Sequence, residues 1–261
     1  MKKSNLITLL SLILLVVIVM VFMYFGKSSA KDADVKVNTT SSSQSETTTS
    51  SSDESTTSST KESETKAVKA SMGDALFIGD SRTVGLMEYA GMDDADFFCN
   101  VGMSVFNIYK KSVSVPNVGK VTLSELLNGK KYGKIYIMLG INEVGYELDS
   151  IVNKYSELIE LIKSKQPDAV IFIQANLHVT KIRSDSDKVV NNTAINGLNK
   201  ELSKLADGKT EFYLDANTLF DDASGNLSAD KSGDSAHLYA KYYHEWGEWI
   251  TVQTASLLGE G

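Results

Sequence analysis

The chain has 261 residues and 33 Asp and Glu against 26 Lys and Arg, a net charge of −7 with no cluster of basic residues, so nucleic acid is not an expected partner. Its one cysteine, Cys99, excludes an internal disulfide. No group of His, Asp and Glu has metal-ligand spacing, so neither a metal nor a cofactor is expected.

Residues 1–5, with Lys2 and Lys3, form a short basic start expected to stay cytoplasmic. Residues 6–25 (LITLLSLILLVVIVMVFMYF) carry no charge. At the helical rise they cover about 30 Å, the thickness of a hydrocarbon layer. The expectation is a single-pass transmembrane signal anchor with the rest of the chain extracellular. Cleavage near Ser28–Ala30, giving a secreted protein, is the alternative. Residues 26–70 are a Ser/Thr-rich linker: 20 of the 27 positions from 39 to 65 are Ser or Thr, with no aliphatic or aromatic residue. Such a stretch buries too little apolar surface to offset the entropy of ordering, and a disordered tether is expected.

Residues 71–261 read as one globular domain, expected to be a monomer. They hold 18 of the Lys and Arg and 26 of the Asp and Glu, a net charge of −8. Five short apolar runs are spaced along them: ALFIG (75–79), DFFCNV (96–101), KIYIMLG (134–140), AVIFIQA (169–175) and EFYLDA (211–216). Their length and their β-branched and aromatic content predict strands buried on both faces. Helical spacing of Ile151, Tyr155, Leu158, Ile159 and Ile162 and a helical pattern over 187–206 separate the later strands, and another over 238–257 follows the last of them. Alternation of this kind predicts a parallel sheet covered by helices, with ligands beyond the carboxyl ends of the strands.

Chemistry-bearing residues fall at those ends. Ser81 follows the first strand, Asn100 and Gly102 the second, Asn142 the third and His178 the fourth. Asp234 and His237, three residues apart, precede the last helix. A hydroxyl, an imidazole and a carboxylate are the parts that serine acyl transfer requires, together with donors aimed at the developing oxyanion. Plainer readings exist for each. Asp80 and Ser81 serve turns and helix caps, Asp234 could cap the final helix, and Asn142 and Gly102 could close turns. His178 is placed as a substrate-cleft residue, and His244, among aromatics in a helix, as packing or surface.

The segments GDS (79–81), NVGMS (100–104), GIN (140–142) and DSAH (234–237) resemble, in order, the four blocks of the SGNH/GDSL hydrolase family. The resemblance covers residues 75–240. It implies a three-layer α/β/α, flavodoxin-like fold with a five-stranded parallel sheet. It also implies a nucleophilic Ser81, a base His237, a supporting Asp234, and an oxyanion hole from the Ser81 and Gly102 N–H groups and the Asn142 side chain. Two positions depart from the family pattern: Arg82 stands where Leu is usual, and Glu143 where Asp is usual.

The function expected on this basis is an extracytoplasmic serine esterase that removes small acyl groups, most plausibly acetyl, from cell-envelope carbohydrate. The carbohydrate expectation rests on localisation and on Trp246, Trp249 and nearby Tyr residues. An O-acyltransferase using the same triad and a catalytically silent tethered binding domain are the alternatives.

Overall fold

The computed structural model describes residues 67–116 and 118–260. The expected cytoplasmic start, the apolar stretch 6–25 and the linker as far as residue 66 lie outside the described residues. Among the described residues no helix is long and apolar enough to cross a membrane.

Strand β1 (Ala75–Gly79) leads into α1 (Ser81–Tyr89) and then β2 (Asp96–Cys99). A hairpin of β3 (Ser112–Val115) and β4 (Gly119–Thr122), which the sequence pattern did not announce, runs into α2 (Leu123–Gly129). The chain continues through β5 (Lys134–Met138), α3 (Leu148–Lys165) and β6 (Val170–Gln174). It then forms α4 (Lys181–Ser186), α5 (Asn192–Ser203), β7 (Glu211–Leu214), α6 (Asn217–Phe220) and the long α7 (Ala240–Leu258). The five expected apolar runs each form a strand. Together they make one parallel sheet in the order β2-β1-β5-β6-β7.

Alternation along the buried strands gives the sheet two unlike faces. Leu76, Ile78, Ile135, Ile137, Ile171 and Ile173 make an aliphatic face covered by α2, α3 and α5. The opposite face carries one ring from each strand, Phe97, Phe77, Tyr136, Phe172 and Phe212, stacked across the sheet at centroid spacings of 4.9, 4.4, 4.7 and 5.8 Å. Helices α1 and α7 cover that row through Leu86, Tyr243, Trp246 and Ile250. Three layers result. The Tyr136 hydroxyl and the Thr254 hydroxyl on α7 share a 2.7 Å hydrogen bond, which satisfies the one polar atom in the ring row.

The described fold begins before residue 71. Ala70 is buried, and its N–H donates to the Thr251 carbonyl at 3.0 Å; Lys69 pairs with Glu248. The partners lie on either side of the middle of α7, Glu248 just before it and Thr251 just after it, away from the histidine loop at the start of that helix.

Candidate active site

Backbone packing at the end of β1 sets the position of Ser81. A Cβ on Gly79 would lie 1.9 Å from the Thr83 hydroxyl and 2.7 Å from the Met138 carbonyl, so only glycine lets α1 start this close to β5. Asp80 is the N-cap of α1, its Oδ1 accepting the Arg82 N–H at 2.9 Å. Ser81 is the first residue of α1. Its N–H is therefore one of those that a helix start leaves without an intrahelical acceptor.

Asp234 and His237 reach Ser81 from the loop before α7. Asp234 Oδ1 accepts the N–H groups of Ala236 and His237 at 2.9 and 2.7 Å. Ser235, between them, has φ 69°, an uncommon conformation for a residue with a side chain. The Ser235 carbonyl is anchored by the Thr180 N–H at 3.0 Å. Asp234 thus shapes its own turn; the N-cap of α7 is Tyr239, with no side-chain cap bond, so the helix-cap reading of Asp234 does not hold. The remaining oxygen, Oδ2, lies 2.6 Å from His237 Nδ1, and His237 Nε2 lies 2.8 Å from Ser81 Oγ. Burial pushes the Asp234 carboxyl up, but the His237 and Ala236 N–H groups and the imidazole outweigh it and hold it well below the usual carboxylate range. An ionised Asp234 only accepts, so the Nδ1 proton faces it and Nε2 is left to accept the serine O–H.

On the opposite side, the Asn142 amide donates to the Met103 carbonyl at 2.9 Å. An amide has two N–H groups, so one bond orients it and one donor remains. Gly102 immediately precedes Met103 and has φ 71°, while nothing lies within 4 Å of where its Cβ would be. Glycine there answers to backbone conformation rather than space. Gly102 is not among the residues lining the cleft around Ser81. Glu143 is fully buried, and its Oε1 accepts the Val105 N–H at 2.5 Å. Asn142 and Glu143 therefore clamp the 103–105 loop at two points. Burial raises the Glu143 carboxyl to about 7, the Val105 hydrogen bond opposing and nearby Asp80 adding to it.

Arg82 does more than pack. Its side chain is buried, and Nε and Nη2 donate to the Ala236 carbonyl at 3.3 and 3.1 Å, tying the serine helix to the histidine loop. The cleft itself is small, about 140 Å³. Ser81, Asn142 and His237 face it, with Ile141, Val179 and Val190 as apolar wall and Arg82 and Arg183 as cationic wall. Sequence reasoning passed over Arg183, whose only signal was its position on the segment after the fourth strand.

Two expectations change, those for His178 and Trp246. His178 does not line the cleft: its neighbour Val179 does, and the ring turns the other way, with Nδ1 2.7 Å from Asp221 and Nε2 2.8 Å from Asn196. Burial works against its charge, but those two hydrogen bonds prevail and raise its pKa. Trp246 is fully buried, edge-on to Phe220, which removes it from any sugar-binding surface. His244 is exposed on α7, the surface reading of the two given it, with its Nδ1 3.3 Å from the Ala90 carbonyl. Cys99 is buried on β2, its thiol pushed up to about 12 by burial, with Asp80 and Glu88 adding to it. Among the described residues no group of three or more His, Cys, Asp and Glu is placed to hold a metal ion.

No protein-family model and no curated protein matches the sequence. Solved structures do match. A Streptococcus pneumonia protein named for platelet activating factor is 19% identical at a TM-score of 0.57, over 74% of this chain and 86% of its own. A GDSL-like lipase from Bacteroides thetaiotaomicron is 14% identical at 0.52, over 69% and 88%. A Corynascus thermopiles carbohydrate esterase family 2 enzyme with a carbohydrate-binding domain is 15% identical at 0.51, over 74% and 69%. At such identities the likeness concerns the fold: this chain has the three-layer α/β/α architecture, with a five-stranded parallel sheet, that these esterase and lipase structures share.

Proposed function

We propose that the protein is a serine esterase of the SGNH type that hydrolyses small acyl esters. The observation carrying this reading is the unbroken relay from Asp234 Oδ2 through His237 to Ser81 Oγ, at 2.6 and 2.8 Å. His237 takes the serine proton as Oγ attacks the acyl carbon, and the imidazolium then protonates the leaving alcohol. Asp234 fixes the tautomer and faces the imidazolium charge. The free N–H of Ser81 and the second N–H of Asn142, both residues that line the cleft, are the donors offered to the oxyanion; a third donor at Gly102 rests on the family resemblance alone. Water, activated by the same imidazole, then releases the acid. The cleft of about 140 Å³ is well below the 300 Å³ or more of ordinary ligand pockets, which favours acetyl over long acyl chains.

An acylated carbohydrate of the cell envelope is the proposed substrate, and the extracellular face of a membrane, reached through residues 6–25, the proposed location. In support stand the apolar stretch itself and the carbohydrate esterase of like fold. The chain is read as a monomer.

The test is to treat the protein with a fluorophosphonate probe and map the adduct by mass. The expected result is a single adduct on Ser81, together with aryl acetate hydrolysis that is abolished in Ser81→Ala. Unimpaired hydrolysis by Ser81→Ala would overturn the serine mechanism.

A further inference from the structure

Arg183, on α4, is shared by two neighbouring cavities. One is the small cleft holding Ser81 and His237. The other is an open groove of about 590 Å³ formed by Ile182, Arg183, Ser186, Asp187, Lys188, Val189 and Ser235. Ser235 is the residue between Asp234 and the rest of the histidine loop, so the groove begins where the triad ends.

The guanidinium at this junction is underused. An arginine offers five N–H donors in a planar fork. Arg183 makes one side-chain bond, from Nη2 to Asp187 Oδ2, and at 3.4 Å it is a long one. Its Nε is buried with no acceptor among the described residues. Asp187 holds the guanidinium through Oδ2 alone, since Asp187 Oδ1 accepts the Val189 and Val190 N–H groups at 2.9 Å each. The charges facing the groove are Arg183 and Lys188 against Asp187, a cationic balance in a domain that is otherwise acidic. On the cleft side Arg82 adds a second guanidinium, whose Nη1 is also buried without an acceptor. Arg183 is near enough to it to oppose its charge, although burial, the larger influence, and Asp80 bear on Arg82 more strongly.

The apolar wall of the cleft and its small volume suit the acyl half of an ester. The alcohol half must leave the cleft, and the groove continues it past Arg183. We propose that the groove is the leaving-group subsite and that Arg183 selects esters whose alcohol half bears a carboxylate. A carboxylate matches the planar fork with two parallel hydrogen bonds and displaces only the weak Asp187 contact. A guanidinium–carboxylate bond of this kind is worth roughly a ten- to hundredfold preference.

The inference rests on the esterase reading, and the experiment separates the two. With the full chain in detergent at low ionic strength, kcat/KM is measured for 3-acetoxybenzoate and for its neutral methyl ester, and their ratio is compared among wild type, Arg183→Gln and Arg183→Lys. The expected result is that the ratio drops at least tenfold in Arg183→Gln and is partly kept in Arg183→Lys. In wild type it should also fall as salt is added. A ratio identical in wild type and Arg183→Gln overturns the proposal, even if both rates fall, since damage to the fold lowers both substrates alike. In parallel, binding of 3-acetoxybenzoate is titrated into Ser81→Ala and Ser81→Ala/Arg183→Gln. Should wild type cleave neither ester, the esterase reading fails while this titration still decides: binding lost with Arg183 supports the subsite, and binding equal in both proteins overturns it.

Discussion

Asp234 serves two masters, its own turn through Oδ1 and the imidazole through Oδ2. Asn in its place keeps an oxygen for the turn but presents an NH₂ group to His237 Nδ1. The imidazole then places its proton on Nε2, where it no longer accepts from Ser81. Asp234→Asn is expected to lower kcat by up to about 10⁴ with little change in stability. Because the wild-type Asp234 carboxyl is held well below the usual range, it stays charged wherever histidine titrates. The kcat/KM of the wild type should therefore rise with pH through one ionisation, measured as a pH–rate profile. Asn142→Ala should cost about 10²–10³ in kcat, the loss of one oxyanion donor. Glu143 gives a different pH signature. Its folded carboxyl holds a proton up to about 7, whereas the unfolded chain gives it up in the ordinary carboxylate range. The folded state thus binds more protons in that window, and stability falls as pH rises through it. Glu143→Gln, which keeps the acceptor for Val105, should flatten urea-midpoint curves between about pH 4.5 and 7, a slope worth on the order of 3 kcal/mol. Unchanged pH dependence in that variant would mean the carboxyl is charged in the fold. None of this was legible from Glu143 as a letter, because a charged loop residue carries no sign that its side chain turns inward. Ser81, Asp234 and His237 were legible, since short motifs carry them, one at the end of β1 and one just before the last helix. Where His178 points, and that Arg183 reaches the cleft, depends on how a later segment folds over the strand ends.

At the scale of elements, the strands were the readable part: all five follow apolar runs whose length and residue types match a doubly covered sheet. The hairpin β3–β4 was not, because its alternation is spread over two four-residue strands in a mostly polar stretch. The aromatic row is present in the sequence as one ring per strand, but only the register brings those rings face to face. Phe77 and Tyr136 stand at its centre, each stacked on both sides. Phe77→Ala should lower the free energy of unfolding by about 3–5 kcal/mol, read from urea denaturation. Tyr136→Phe keeps the stack and loses only the Thr254 bond, so about 1 kcal/mol is expected. Equal costs for the two variants would show that the stack itself contributes little.

Across the whole molecule, the domain boundary read from composition, residue 71, omits groups that pack on α7. Val68 lines one cavity with Val252 and Ala255 of α7, and the Ala70 N–H donates to the Thr251 carbonyl at 3.0 Å. A chain starting at residue 67 should unfold cooperatively, while one starting at 71 should have a lower urea midpoint, corresponding to about 1 kcal/mol less unfolding free energy for the lost backbone bond and its neighbours. Identical midpoints would return residues 67–70 to the upstream segment. The same contacts carry a mechanical meaning. Helix α7 has 19 residues and spans roughly 28 Å, with the histidine loop at its start and the Ala70 contact beyond its middle. Tension on the upstream chain would therefore be applied to α7 beyond its middle. It would load the Ala70–Thr251 bond before it reached the histidine loop at the start of the same helix.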